Sequence, residues 1–523
     1  MKIKLMILCC CVLMYPASTL AQTQELSGFT AIHSRSISPI FDGKEVKAYA
    51  LIYKSDKADK VNDNIHISVY DDNLALSKTI NMKKPRGKYL MLGNAYNGEG
   101  VGFYFYNLKD KQFEIEMYDN NLVKTASATD DHKLTNVEQM AINMARAAAE
   151  KDQNAFGASL NIYAVAKQGF ITNGVLNGNK GYTLKMYDNM LKEKWSFSSP
   201  EDVETYEAIM ISEVTGKYVI GNVMKRPSKL STKMTFYLTV FDALTGKKKM
   251  EVPISGSATE QLSLNTIVYD EPTDQIIAIG DYYAEGDKVG SARSKGFFFK
   301  VFNTDGKENQ KQMYSWERDV KSKLPPEANE SLEHGAMNYT HRILKGEDGK
   351  FYLVTEQYAK SASGAGIATM AMGGGANLTK AVIWNLMVIV LNKDLTINEI
   401  KYYTKDKSDV ELPPGMDFYG PGLWGMVMKQ MGGFDYQFTQ MANDGKSYDI
   451  VYVNYDKEKG ESTKRVLGNI IISPDGKFTV DKIDITSRAT SSFLYPAKPG
   501  YLMMVDYLKK ERTLGMKLVK LNY

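Results

Sequence analysis

Apolar and polar residues alternate with a period of two along most of the chain, in short runs rich in Val, Ile, Tyr and Phe that stop at Gly, Asp or Asn. That period marks half-buried strands. Residues 206–254 show it in full. YEAIMISE (206–213) meets the turn Val214-Thr215-Gly216-Lys217, and YVIGNVM (218–224) follows. After a longer linker, MTFYLTVFD (234–242), the turn Ala243-Leu244-Thr245-Gly246 and KKMEVPI (248–254) complete the unit. Glycine supplies positive φ at such turns, and aspartate bonds the nearby backbone. Four strands joined in this way predict one antiparallel sheet, its strands termed a to d. The next segment repeats the order with LNTIVYD (264–270), QIIAIGDYY (275–283), GFFFKVFN (296–303) and QKQMYSW (310–316).

Strands of type b recur at VKAYALIY (46–53), GVGFYFYN (100–107), GFITNGVL (169–176), FYLVTEQY (351–358), YDIVYVNY (448–455) and YLMMVDYL (501–508). Type c strands close on near-identical turns: VYDDNL (69–74), MYDNNL (117–122), MYDNML (186–191), VFDALTGK (240–247), VFNTDGK (301–307) and VLNKDL (390–395). A lone four-stranded sheet cannot cover both of its apolar faces, so repeated sheets must pack on one another. A repeat of roughly 50 to 60 residues with four strands predicts a β-propeller. The expected fold is all-β, with about eight four-stranded blades (alternative seven) in one domain over 22–523. The last unit stops short, with SSFLYPA, YLMMVDYL and LGMKLVKLN before Tyr523. Its outer strand is expected from the segment around Gly28 to Ser34, which would close the ring by strand exchange. The alternative gives residues 28–40 to the inner strand of the first blade.

Linker length alternates. The a–b links are short (VTGK; KGEDGK, 345–350; NDGK, 443–446; AKPG, 497–500), as are the c–d turns. Length accumulates in the b–c linkers 284–295 and 359–380 and in the d–a linkers 128–158, 317–336 and 404–433. In an antiparallel blade these two kinds emerge on the same face. Loops gain length chiefly for a purpose, so that face is the candidate binding surface; plugging the central channel is the competing use. Thr135-Asn136-Val137-Glu138 reads as a capping box, with Val137, Met140, Met144 and Ala148 on one helical face. In GLWGMVMKQMGG (422–433), Leu423, Met426, Val427 and Met431 share helical spacing ahead of a glycine stop. The loop GAGIATMAMGGGAN (364–377) adds Met370 and Met372. Such methionines adapt to apolar partners, or simply seat the insertions on the ring. Helical insertions on one face complete the expected architecture.

Charge narrows the partners. Lys and Arg number 65 against 61 Asp and Glu, a net charge of +4, and that balance lacks the basic excess of a nucleic-acid binder. Lys2 and Lys4, the apolar run Leu5 to Tyr15 and Thr19-Leu20-Ala21 read as an export signal over 1–21, cleaved after Ala21. Its removal takes Cys9, Cys10 and Cys11, all three cysteines of the chain, and with them any disulfide, thiolate site or thiol nucleophile. AVIWNLMVIVL (381–391) is the longest later apolar run, carries Asn385, and has the length of a buried strand rather than a membrane span. The expected setting is the periplasm or the cell surface, with no transmembrane segment.

Chemistry is sparse. The five histidines, His33, His66, His132, His334 and His341, show no HExxH or comparable spacing, so neither a metal nor a cofactor is expected. No G-x-S-x-G elbow is present. One titratable cluster stands out: His334 and His341, near Glu330 and Glu333. Paired channel carboxylates are the route to the rival reading, a propeller hydrolase or lyase acting on polysaccharide. With 61 acidic residues, spacing selects no pair, and no catalytic residue is assigned. Asp71, Asp119, Asp188 and Asp242 each follow an aromatic residue, one per hairpin. A calcium loop needs several oxygen ligands together, so these are read as bonding their own turns. Lys225, Arg226, Lys229, Lys233, Lys288, Arg293 and Lys295 in the b–c linkers are solvated cations or the seat of an anionic ligand.

The four-strand repeats with YD-x-N-L turns resemble a β-propeller over nearly all of 22–523. They lack the recurrent Trp-Asp, the Gly-Gly pair and the S-x-D-x-G-x-x-W of WD40, kelch and Asp-box propellers. The chain is similar in style to uncharacterised exported propeller-like proteins of Gram-negative envelope bacteria. That resemblance implies an envelope setting and supplies no catalytic residue. The resulting expectation is a monomeric, non-enzymatic protein that holds a protein or glycan on its long-loop face. Trp316, Phe418, Tyr419, Trp424, Arg226 and Arg293 are the candidate contacts, because exposed aromatic faces stack on sugars and anchor interfaces.

Overall fold

A computed structural model of the chain describes residues 23–29, 36–57, 59–85, 89–108, 110–130, 162–176, 180–200, 204–228, 231, 233–255, 259–289, 292–372, 377–412, 416–418, 420–456, 464–485, 489 and 491–521. Eight antiparallel sheets succeed one another along the chain. Blades 1 to 7 span 37–85, 89–130, 162–198, 206–253, 261–315, 337–403 and 436–485, and blade 8 takes 491–520 together with 23–27. Sequence order within each of blades 1 to 7 is also sheet order. The first strands of blades 1 to 6 touch in succession, as do those of blades 7 and 8, so strand a is innermost and strand d outermost. Apolar faces pack blade against blade: Phe236, Leu238 and Val240 of blade 4, for instance, meet Leu262, Ile276 and Phe298 of blade 5. The fold is an eight-bladed β-propeller.

Closure is by strand exchange, at a register shifted from the expected one. The outer strand of blade 8 is Thr23–Ser27, antiparallel to Thr513–Lys520, with Thr23 opposite Lys517 and Ser27 opposite Thr513. The expected 28–34 lies just beyond it, and residues 30–35 fall outside the described residues. Gly28 and Phe29 both donate backbone hydrogen bonds to the Arg512 carbonyl. Phe29 is buried and meets Tyr53 of blade 1 edge-on at 4.8 Å. Ile37–Asp42 is the inner strand of blade 1. The N-terminal segment thus serves both the last blade and the first.

The turn aspartates bond their own hairpins. Asp119 Oδ1 accepts from the amides of Asn121 (2.9 Å) and Val123 (2.8 Å), and Asp188 Oδ1 from Met190 (2.8 Å) and Lys192 (2.9 Å). Asp71 and Asp242 do the same. The Leu that closes each YD-x-N-L turn takes positive φ, 62° at Leu74 and 55° at Leu122 and Leu191. That conformation is costly for a side chain with a Cβ. Burial of Leu74 and Leu191 offsets it.

The described α-helices belong to linkers of one face, while a single 3-10 turn, Glu271–Thr273, sits in the a–b link of blade 5 on the other. The blade 5–6 linker holds helical turns from Trp316 and the short helix α1, Asn329–Glu333. The b–c hairpin of blade 6 carries α2, Gly364–Ala371, a helix where the sequence suggests a loop. The blade 6–7 linker holds the strand Ser408–Val410, which extends the blade 6 sheet, and α3, Pro421–Met431. Pro421 at the first helical position and Gly432 at φ 67° after the last delimit α3 as their backbone preferences dictate. The capping box at 135–138 lies outside the described residues. Thr379–Leu391 is a strand, mostly buried over 381–391, and no described helix is long and apolar enough to cross a membrane.

Candidate functional site

Inner strands carry one extra residue at a recurring place. The a–b register slips around Leu92, Ser212, Asn265, His341 and Gln437 in blades 2, 4, 5, 6 and 7. A bulge re-aims the side chain it carries. In blades 5 and 6 the bulged residue meets an acid on strand b. Asn265 Nδ2 donates to Asp281 Oδ2 at 2.9 Å, and His341 Nε2 lies 3.2 Å from Glu356 Oε2. Asp281 and Glu356 occupy equivalent positions, one residue past the slip, and Asn222 of blade 4 occupies the same one. All three are buried.

Around Glu356 the site is a network of charges withdrawn from water. Lys405 Nζ stands 3.2 Å from Glu356 Oε1 and also pairs with Asp435, and both lysine and glutamate side chains are fully buried. Ser408 Oγ donates to Asp435 Oδ2 at 2.8 Å, and the Tyr436 amide donates to Glu356 Oε2 at 3.1 Å. The Lys405 amide donates to Asn385 Oδ1 at 3.0 Å. Such a cluster tolerates burial only because each charge has partners. Burial raises Asp435 to about 6, against the opposing pull of Lys405. Burial also raises Glu356, again opposed by Lys405. Lys405 stays charged: burial works against its charge, but Glu356 and Asp435 outweigh it and its pKa is raised. His341 is held neutral, its pKa well below the usual value through burial and the charges of Lys429 and Lys405. Asp281 has no ion pair among the described residues, and burial pushes it up to about 7.

Helix α3 roofs this region. Trp424 and Met428 enter an apolar cluster with Tyr339, Tyr358, Ile383 and Phe434. Leu423 and Met426 also reach the cluster between blades 4 and 5. Gly425 is needed for the approach, since a Cβ there would stand 2.8 Å from Tyr339 Cδ2 and from Tyr358 Oη. Tyr358 Oη donates to the Pro421 carbonyl at 2.8 Å. Lys429 Nζ lies 3.4 Å from His341 Nδ1 and 4.8 Å from the centre of the Tyr436 ring. Burial lowers this lysine to about 8, offset in part by Glu356. Beside Asn265 a cavity lined by Phe236, Ser263, Tyr283, Leu423 and Met426 offers about 10 Å³ to the centre of a water-sized sphere, room for one water.

The blade 6 hairpin and the α3 linker are tied together. Asp417 accepts from the amides of Leu378 (2.9 Å) and Thr379 (3.1 Å), and Lys360 Nζ donates to the Asp417 carbonyl at 3.0 Å. Asn377 Nδ2 donates to the Leu412 carbonyl at 2.6 Å. Ser363 Oγ caps α2 through the Gly366 amide at 3.0 Å. On this base α2 holds Ile367, Met370 and Met372 out, 50%, 55% and 81% exposed.

The residues expected from sequence fare unevenly. Trp424 is not an exposed contact: it is fully buried, its Nε1 donating to the Met416 carbonyl at 2.9 Å, because the apolar side of α3 faces the ring. Trp316 is half-buried, bonded through Nε1 to Ser294 Oγ at 2.9 Å and packed on Phe297 at 4.9 Å. Arg293 is exposed and lies against Gly335; with Trp316 it flanks Ser294. Arg226 ends the second strand of blade 4 and is half-buried, and no hydrogen bond or ion pair among the described residues ties it to the others. The Phe418 side chain and Tyr419 lie outside the described residues. His334 and His341 part company. His334 is exposed, edge-on to Trp384 at 5.3 Å, while Glu330 pairs with Lys407 and His341 enters the buried network. Sequence reasoning missed Asp281, Glu356, Lys405, Lys429 and Asp435. A detectable signal existed in the polar residue that interrupts the apolar b strands, in IGNVM (220–224), IGDYY (279–283) and VTEQY (354–358).

Solved structures resemble the chain at low identity. Dihydro-heme d1 dehydrogenase NirN, in complex with DHE, matches with 10% identity over 95% of this chain and 78% of its own, at a TM-score of 0.41. The β-propeller domain of the Trilobed protease from Pyrococcus furiosus, described as having an open velcro topology, matches with 12% identity over 75% of this chain and 98% of its own, at 0.34. A protein of unknown function from Bacteroides caccae matches with 8% identity over 70% and 99%, at 0.26. No curated protein matches the sequence. A family model matches residues 1–522, and the chain belongs to the family of unknown function DUF6770.

Proposed function

We propose that the chain is an exported, non-enzymatic binding protein of the periplasm or cell surface that captures a protein partner on the face bearing its insertions. The observation that carries this is the apolar tip of α2. Three large side chains stand in water on a hairpin that several hydrogen bonds hold in place. Exposed apolar side chains on an ordered base suit a protein interface. A glycan reading draws less support, since Trp424 is spent on the core. The hydrolase or lyase reading needs two water-accessible carboxyls; Asp281 and Glu356 are both buried. The leader-like sequence over 1–21 supports export.

The test joins Ile367→Ser, Met370→Ser and Met372→Ser in one variant. The control is Met190→Ser, a residue 60% exposed on a c–d turn of the opposite face. Quantitative cross-linking and pull-down from the envelope fraction is expected to lose specific partners at least tenfold (about 1.4 kcal/mol) in the triple variant and none in the control. Equal recovery from both overturns the reading. N-terminal sequencing of the exported chain is expected to begin at Gln22.

A further inference from the structure

We propose that His341 and Lys429 form an acid-released latch that seats helix α3 on the inner strands of blades 6 and 7. The proposal rests on the reading of the insertion face as a binding surface only for its purpose; the latch itself stands on contacts within the chain. Lys429 is an ammonium that can only donate. It points at His341 Nδ1 from 3.4 Å. That ring nitrogen must therefore accept, so the ring hydrogen sits on Nε2 and is donated to Glu356 Oε2 at 3.2 Å. The latch is thus a line of three groups, helix lysine to neutral imidazole to buried carboxylate. A proton on Nδ1 removes the acceptor and sets an N–H against the ammonium. The seat then loses its polar contact and gains repulsion.

The surroundings decide which way the line responds. His341 is faced by Glu356 from strand b of blade 6, by Lys429 from α3, and by Lys405 from the blade 6–7 linker. The rings of Tyr339, Phe434 and Tyr436 pack on it, Tyr436 stacked at 4.4 Å. Arg342 follows it in the strand and opposes charge on Lys429. Asp435 is bound to Lys405 and Ser408. Glu356 and Asp435 keep Lys405 whether α3 is seated or lifted, because Lys405 lies outside the helix. The protonation of Asp435 therefore does not distinguish the two states, whereas that of His341 and Lys429 does; Glu356 also feels the charge of Lys429, so the histidine variant is what separates the response of His341 from that of Glu356.

The sign follows for each group. Seated His341 resists a proton that a solvated His341 takes below pH 6.5, so lifting is favoured as pH falls below that value. Seated Lys429 gives up its proton above about 8, while a solvated one keeps it to 10.5, so seating tightens as pH rises across that interval. Between 6.5 and 8 neither group changes. The lifted-to-seated ratio should change about tenfold per pH unit on each limb and be flat between them. Gly420 before α3 and Gly432-Gly433 after it give backbone freedom at both ends. Lifting would bare Trp424, Met428, Tyr339 and Phe434, an apolar surface for a partner.

Hydrogen exchange of the full chain tests this. Exchange of peptides from 420–433, corrected for intrinsic rates, reports the opening ratio, and strand 296–303 serves as the control. Opening of 420–433 is expected to rise about sixteenfold from pH 6.5 to 5.0, with the control and the far-UV circular dichroism unchanged. His341→Gln should flatten the acid limb. Lys429→Met should flatten the alkaline limb and keeps the test alive if the histidine variant does not fold. A flat acid limb in the native chain overturns the latch, as does a rise shared equally by 296–303, or a His341→Gln variant that keeps the slope. None of these readouts involves a partner, so the latch and the binding reading fail separately.

Discussion

At Asp281 a carboxyl sits among uncharged groups, with the Asn265 amide as its hydrogen-bond partner, and burial lifts its pKa from 3.8 to about 7. Below about pH 4 both folded and unfolded chains hold this proton. As pH rises to 7 the unfolded chain has lost it and the folded chain has not, so stability falls across that window and the full cost applies above it. Asp281→Asn keeps the shape and cannot ionise. It is expected to stabilise the protein by about 2–4 kcal/mol at pH 8, with the gain vanishing towards pH 4, as read by urea denaturation at several pH values. Equal stabilities at pH 8 would mean that the acid is solvated or paired. The identity of this residue was legible as a polar interruption in IGDYY. Its burial was not, because only the bulge at Asn265 and the roof laid over it by α3 remove its water. Trp424 teaches the same lesson in reverse. An aromatic in a long loop reads as exposed until the packing of Tyr339 and Tyr358 is known.

Helix α3 was readable from the spacing of Leu423, Met426 and Val427 and from its glycine stop, and the structure places it within a residue or two of that reading. Helix α2 was not. GAGIATMAM is too rich in Gly and Ala for a helical stripe, and what orders it is tertiary: the Ser363 cap and the anchorage of Asn377 and Asp417 to the neighbouring linker. Propensity alone is weak at this length. The two helices therefore answer differently to substitution. Trp424→Ala leaves a large void under α3 and is expected to cost about 3–5 kcal/mol in chemical denaturation. Met372→Ala at the exposed end of α2 should change stability by less than about 0.5 kcal/mol. A Trp424 variant as stable as the parent would show that the ring stands without its roof.

Ring closure belongs to the whole molecule. Seven blades are continuous in sequence, and their repeat was legible because each pairs its own neighbours; the eighth borrows its outer strand from residues some 490 positions away, Thr23 against Lys517. Sequence pattern pointed to the N-terminal segment and missed the register, since TQELS alternates too weakly to declare itself a strand. Its place is set by the Arg512 carbonyl, which takes the amides of Gly28 and Phe29, and by Phe29 lodged between blades 8 and 1. Removing the chain through Ser27 while keeping Phe29 isolates the strand from its anchor. The edge Thr513–Lys520 then presents unpaired backbone groups to solvent, which invites pairing with another chain. That variant is expected to lose about 2–4 kcal/mol, the worth of a few net backbone hydrogen bonds and the Leu26 side chain. It should also self-associate in light-scattering chromatography. A synthetic peptide of residues 22–28 supplied in excess should restore both the melting temperature and the elution of the parent. If the shortened chain melts and elutes with the parent, the ring is held by blade-on-blade packing alone and the strand is decoration. If the peptide rescues it, the outer strand of blade 8 is the clasp.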